Sequence, residues 1–246
     1  MKRRLTLILL AFLLLGGAVS AQLAEPGLYT DHSLGAGMNP AALGLTSRLW
    51  YRIPLVEERG VLWDPAKIDV GLRNQLSPAY EEIGAYLYWE PVALFDVTAT
   101  AALRRTFTQF GSGFYEVAGY DSPYNDLGDR IEDSAEAGFR FTVSPRLKAA
   151  YAGFVMLNEF RYDYFDFGSN VDRPEDRYFY EPSYDTVIAF RDVVLANTFN
   201  LLYGATPELR IGGQYYFNLV PEAGNTKHRL AGIGVYARPL SDSTNI

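Results

Sequence analysis

The sequence predicts an all-β fold, an antiparallel up-and-down transmembrane β-barrel of about 10–12 strands when complete. Three observations point there. The chain opens with an export leader, its segments alternate apolar and polar residues with period 2, and its connections alternate between short and long.

The leader is tripartite. Lys2, Arg3 and Arg4 form a basic region, Leu5 to Leu15 is apolar, and Ala18-Val19-Ser20-Ala21 offers small residues for cleavage before Gln22. The apolar run is about 11 residues, short of the roughly 20 that a membrane-spanning helix needs. Residues 1–21 therefore read as a signal peptide. Residues 22–45, rich in Gly, Ala and Pro, are the least strand-like part and read as a periplasmic segment able to plug the interior. Residues 46–246 read as the barrel. The expected location is the outer membrane of a Gram-negative bacterium, after cleavage near Ala21.

Composition narrows the classes. The chain has no Cys, which excludes lipidation, disulfides, a thiolate metal site and a cysteine nucleophile. Formal charge is −7, and loss of Lys2, Arg3 and Arg4 with the leader makes it −10. That balance argues against nucleic acid as a partner. Aromatic content is 15%, with 18 Tyr and 15 Phe, as expected of a barrel with aromatic girdles.

The elements follow in order. Leu49 to Leu55 is a candidate first strand. Lys67 to Leu76 sets Ile68, Val70, Leu72 and Leu76 against Lys67, Asp69, Arg73 and Gln75. Glu81 to Glu90 sets Ile83, Ala85, Leu87 and Trp89 against Glu82, Tyr86, Tyr88 and Glu90. Val92 to Thr106 is the most regular, with Phe95, Val97, Ala99, Ala101 and Leu103 opposite Asp96, Thr98, Thr100 and Arg104. Ser134 to Ser144 sets Phe139, Phe141 and Val143 against Glu136, Arg140 and Thr142. Leu147 to Asn158 and Val187 to Tyr203 alternate less strictly. Leu209 to Leu219 is regular again, and Ala231 to Ala237 is short. A strand points successive side chains to opposite faces, so each segment would present one apolar and one polar face.

Short Pro-containing turns are expected at Glu90-Pro91, Ser144-Pro145, Thr206-Pro207 and Arg238-Pro239. Longer polar loops are expected over Gln109 to Asp133, Asp166 to Tyr184 and Pro221 to Lys227. With long loops outside and the N-terminus inside, this count is one crossing short. Either residues 22–45 hold a further strand or Leu49 to Leu55 is not a full crossing. The chain ends Ser241-Asp242-Ser243-Thr244-Asn245-Ile246, without a terminal aromatic strand, so truncation with loss of at least one closing strand is expected.

A soluble sandwich would also alternate, but its strands are typically near 5–6 residues and its exposed faces are the polar ones. Here the segments run about 10–15 residues, enough to cross a bilayer at a tilt. Their polar faces also mix acid with base in line, as in Asp96 with Arg104. In the barrel reading Lys67, Arg73, Glu82, Glu90, Asp96, Arg104, Glu136, Arg140, Lys148, Arg210 and Arg238 line the lumen. Mixed signs would pair across a narrow barrel and line an aqueous pore in a wider one.

Little points to catalysis. The two His, His32 and His228, stand beside no nucleophile motif, and no enzyme, cofactor or metal site is expected. The loop Tyr120 to Asp133 is acidic, but Asn125-Asp126-Leu127-Gly128-Asp129 lacks calcium-loop spacing, so a solvated loop is expected.

Gly37-Met38-Asn39-Pro40-Ala41-Ala42-Leu43-Gly44 resembles the Asn-Pro-Ala segment near the N-terminus of FadL-like long-chain fatty-acid transporters. The resemblance covers about eight residues of a chain much shorter than that family. By residue chemistry alone the same stretch reads as a helical turn with Asn39 as N-cap and Pro40 following. Leu76-Ser77-Pro78-Ala79-Tyr80, with Trp89-Glu90-Pro91-Val92-Ala93-Leu94-Phe95, looks like uncharacterised proteobacterial outer-membrane barrels. That implies a fold and no activity.

Three functions stay open at this level: a passive porin-like channel, a FadL-like transporter of hydrophobic molecules plugged by residues 22–45, and a structural or adhesive barrel presenting acidic, Tyr-rich loops. The partners implied are outer-membrane lipid and lipopolysaccharide, with periplasmic chaperones and the barrel-assembly machinery during biogenesis.

Overall fold

Alternation of this kind should lay down a sheet with one apolar and one polar face. The computed structural model describes residues 24–37, 42–56, 60, 62–107, 116–122, 137–168, 173–181, 183–206 and 208–236. Ten antiparallel strands form one sheet in chain order. They are β1 (Gly27–Gly37), β2 (Ala42–Pro54), β3 (Lys67–Leu76), β4 (Tyr80–Val92), β5 (Phe95–Thr106), β7 (Ala137–Tyr151), β8 (Phe154–Asp166), β11 (Arg191–Gly204), β12 (Leu209–Val220) and β13 (Asn225–Tyr236). Three short strands, β6 (Glu116–Val117), β9 (Tyr178–Glu181) and β10 (Thr186–Ala189), make a second sheet in the order β10-β9-β6. Among the described residues β1 and β13 each pair on one side only.

Burial on the large sheet is inverted. Leu72, Leu103 and Leu230 stand 60%, 68% and 85% exposed, while Asp96 and Arg104 on the opposite face are 1% exposed. Side chains from Ser33 on β1 to Arg161 on β8 line one cavity. Six steps between those strands would span roughly 29 Å in a flat sheet, so the sheet is strongly curled with its polar face inside. Glycines permit the tight bends. A Cβ at Gly84 would lie 2.2 Å from the Ala101 carbonyl oxygen, and one at Gly212 only 1.9 Å from that of Leu201. Both glycines sit on the concave face, where neighbouring strands close on each other.

The missing crossing lies in the N-terminal stretch. Gly27–Gly37, expected within a plug, pair residue by residue with Ala42–Arg52, and β2 is a full crossing rather than a fragment. Tyr29, Asp31 and Ser33 alternate with Leu28 and Leu34 there, so the segment has the period of a strand despite its glycines. The Asn39-Pro40-Ala41 motif lies outside the described residues.

Two expected turns are strand instead. Pro91 lies in β4 beside a register shift between Trp89 and Val92, and the reversal falls at Ala93-Leu94. Pro145 lies inside β7, where the ladder to β8 passes from Val143 to Arg146 and skips it. A proline has no amide to donate, and both occupy places where the ladder is interrupted. The β7–β8 reversal falls instead at Ala152-Gly153, a two-residue hairpin with both residues at positive φ, 48° and 85°. Leu147 to Asn158 thus straddles a turn, and Val187 to Tyr203 spans β10 and β11. The expected loop Pro221 to Lys227 is a tight turn after which β13 starts at Asn225, and Ala231 to Tyr236 of the expected Ala231–Ala237 strand belong to that longer strand, Ala237 lying outside the described residues.

The apolar core lies at one end of the concavity. Phe167, Phe179, Tyr184, Ile188 and Phe190 pack onto the inward side chains Phe165 of β8, Val194 and Ala196 of β11, and Val220 of β12. The segment carrying β9 and β10 thereby forms a cap over that end of the polar face.

Candidate functional site

Strand parity decides which side chains meet on the concave face. The ladders set Lys67 opposite Glu90, Glu82 opposite Arg104, Asp96 opposite Arg146 and Arg140 opposite Phe165. Ion pairs follow in two layers.

The layer near the β4–β5 turn centres on Glu90 and Asp96. Lys67 Nζ donates to Glu90 at 2.6 Å, and Lys148 bridges Glu90 and Asp96, the latter at 2.9 Å. Arg146 meets Asp96 at 3.0 Å. Arg52 forks onto Asp69 through two bonds of 2.8 Å. Bidentate guanidinium–carboxylate pairs of this kind are strong and directional.

The layer under the cap centres on Glu82. Arg140 lies 3.0 Å from it, Arg104 3.6 Å and Arg73 3.9 Å. Arg140 also donates to Asp163 at 2.9 Å, and Thr142 donates to the same carboxylate. Arg104 reaches up to Glu181 at the end of β9, at 2.9 Å, and both side chains are essentially fully buried. The Arg104 guanidinium also lies 4.0 Å over the Tyr80 ring. Taking charges out of water is costly unless they are paired, which is why acid and base interleave here.

The cap is tied down from above as well. Lys227 and Arg229 of β13 each lie 2.7 Å from the Asp185 carboxylate, and Asn218 donates to the Tyr184 carbonyl at 2.8 Å. Burial pushes the Asp185 carboxyl up, but Lys227, Tyr180 and Arg229 outweigh it and hold it below the usual carboxylate range. Tyr120 donates to Asp192 at 2.9 Å. Burial, then the Asp192 charge beside it, pushes that phenol above its ordinary value.

Between the layers lies a cavity of about 570 Å³ lined by Thr98, Thr100, Thr142, Ser144, Tyr86 and Tyr88, with arginines at its edges. Of the residues expected to line an interior, Lys67, Arg73, Glu82, Glu90, Asp96, Arg104, Arg140 and Lys148 all share this face and its ion pairs. Arg210 has the same parity but sits exposed at the start of β12, away from both layers. Glu136 and Arg238 lie outside the described residues.

Sequence reasoning missed several partners. Arg52 was hidden in a fragmentary strand. Glu159, Arg161 and Asp163 alternate correctly on β8, but Phe160, Tyr162 and Tyr164 on the other face blur the polarity contrast. Glu181 lies in a long connection, where no local periodicity signals it.

His32 lies 2.9 Å from Ser47 Oγ and His228 2.7 Å from the Tyr215 hydroxyl. Both rings belong to the apolar face, away from the cavity. Among the described residues no group of three His, Cys, Asp or Glu could hold a metal. Compared with family models, curated proteins and solved structures, the chain matches none.

Proposed function

We propose that this chain is an outer-membrane β-barrel protein whose polar interior forms a narrow channel for small solutes, stoppered at one mouth by the cap. The observation that carries the reading is the inverted sheet. Leucines, valines and aromatics face outward, and a paired acid–base network fills the inside. In water such an apolar surface is a liability, whereas in lipid it is the seat.

Other features agree. The ten strands run 10 to 15 residues, long enough to cross a hydrocarbon layer at a tilt. Outward aromatics gather in two bands. Trp89, Tyr151, Phe154 and Tyr203 lie toward the short turns and Phe139 and Phe141 toward the cap, with Phe160 and Tyr215 between them. Among the described residues no helix is long and apolar enough to cross a membrane. The signal peptide read at residues 1–21 supplies the export route, and membrane lipid, lipopolysaccharide and the assembly machinery are the partners this route implies. Closure would join β1 to β13, which among the described residues each pair on one side only.

A polar interior supports passage of polar solutes over the FadL-like transport of hydrophobic molecules. The test is conductance in planar bilayers, with folding checked by heat-modifiable gel mobility. The native chain should show brief openings. A variant with residues 169–189 replaced by a short Gly-Ser linker should conduct steadily. A flat trace from both folded proteins would overturn the channel and leave a structural barrel that presents its loops.

A further inference from the structure

The two ends of the ion pairs do not face the cavity equally. Its wall carries six cationic side chains, Arg48, Arg52, Lys67, Arg73, Arg146 and Arg161, against three carboxylates, Asp69, Asp96 and Glu159. Three of those cations take their counter-charge from carboxylates outside the cavity lining. Arg48 pairs with Asp31, Lys67 with Glu90 and Arg73 with Glu82, and none of these carboxylates lines the cavity. The chain is acidic as a whole, at −7, yet cations outnumber carboxylates on the cavity wall.

Arg73 is the least compensated. Its nearest carboxylate stands 3.9 Å away and is shared with Arg104 and Arg140, and its closer partner is the neutral Gln75 amide. Arg161 lies near enough to repel it, and pairs only loosely with Glu159, at 3.4 Å. Two guanidiniums lining one cavity, each short of a close counter-charge, suit an oxyanion. The hydroxyls of Thr98, Thr100, Thr142 and Ser144 add donors beside them. The indole of Trp50 and the phenol rings of Tyr86 and Tyr88 line the same space and offer flat surface for a carbon skeleton. At about 570 Å³ the cavity is of small-ligand size.

We infer that the cavity between the two ion-pair layers binds a small organic oxyanion, its carboxylate or phosphate held between Arg73 and Arg161 and its body against Trp50, Tyr86 and Tyr88. This deepens the channel reading and rests on it for the solute's passage, though binding is measured apart from conduction.

The experiment is calorimetric titration of the folded, detergent-solubilised protein with inorganic phosphate and with benzoate, and with magnesium as the contrary probe. Saturable binding of at least one anion is expected, with none for magnesium. Arg73→Gln and Arg161→Gln should each weaken it by about ten-fold. Arg161 is the safer variant, because its removal leaves only the half-exposed Glu159 without its partner. Trp50→Ala should weaken benzoate and leave phosphate unchanged. The inference is overturned if the folded protein binds neither anion, if it prefers magnesium, or if Arg161→Gln folds and binds both anions as tightly as before. A protein that binds the anion and never conducts keeps the inference and loses the channel. One that conducts but binds neither anion does the opposite.

Discussion

Glu82 faces three guanidiniums, those of Arg73, Arg104 and Arg140, from one almost fully buried carboxylate. Its removal leaves two buried guanidiniums short of charge. Glu82→Ala should therefore cost about 3–5 kcal/mol, the usual penalty for breaking a buried pair from one side. A lowered urea midpoint for unfolding in detergent would register it, and an unchanged midpoint would mean that water already screens this layer. Asp185 gives a pH signature. Its folded pKa lies below the ordinary carboxylate value, so its hold on the cap is fully present above the unfolded pKa of about 3.9. That hold is lost as pH falls through the lower, folded value. Protease access to the cap should thus rise only well into the acid range. In Asp185→Asn it should be raised already at neutral pH and lose that dependence.

The elements show how sequence translates into strands and where it fails. Alternation alone located β3, β4, β5 and β12 to within a few residues, because each sets apolar against polar residues with little interruption. It failed where the polar face carried few charges. On β1 the inward residues are Tyr29, Asp31 and Ser33, and the glycines around them look like loop. It also failed at Pro91 and Pro145, since proline marks a turn or a broken ladder equally well, and only pairing distinguishes them. The polar face was therefore legible as a list of residues, whereas the pairing of Arg104 with Glu181 was not. Those two lie 77 positions apart and meet only through the cap. The hairpin at Ala152-Gly153 carries a prediction of its own. Ala152 holds φ at 48°, a conformation glycine adopts more freely. Ala152→Gly should stabilise the folded protein by about 0.5–1 kcal/mol. A drop in the urea midpoint would show that the turn is unstrained.

At the scale of the whole molecule, stability comes from an unbroken run of antiparallel ladders rather than from a large apolar core. The one apolar cluster belongs to the cap and its seat on β8, β11 and β12. In the membrane reading the apolar exterior is satisfied only by lipid or detergent. Purified protein should accordingly stay monodisperse in detergent and precipitate when it is removed. It should also migrate on cold SDS gels as a compact species that shifts on boiling. A single band at both temperatures would argue against a closed barrel.

The three-stranded cap also sets a sequence of events. β6 belongs to the connection between β5 and β7, while β9 and β10 belong to the one between β8 and β11. Most long strands can zip onto their predecessors by a local reversal, whereas β7 and β11 follow long connections, and the cap has to bring those two connections together, which is entropically the slower step. Glu181 reaches Arg104 only after that step. On the channel reading, assembly would therefore run through a stage in which the wall is complete and the mouth still open. A molecule caught there would leak before it seals.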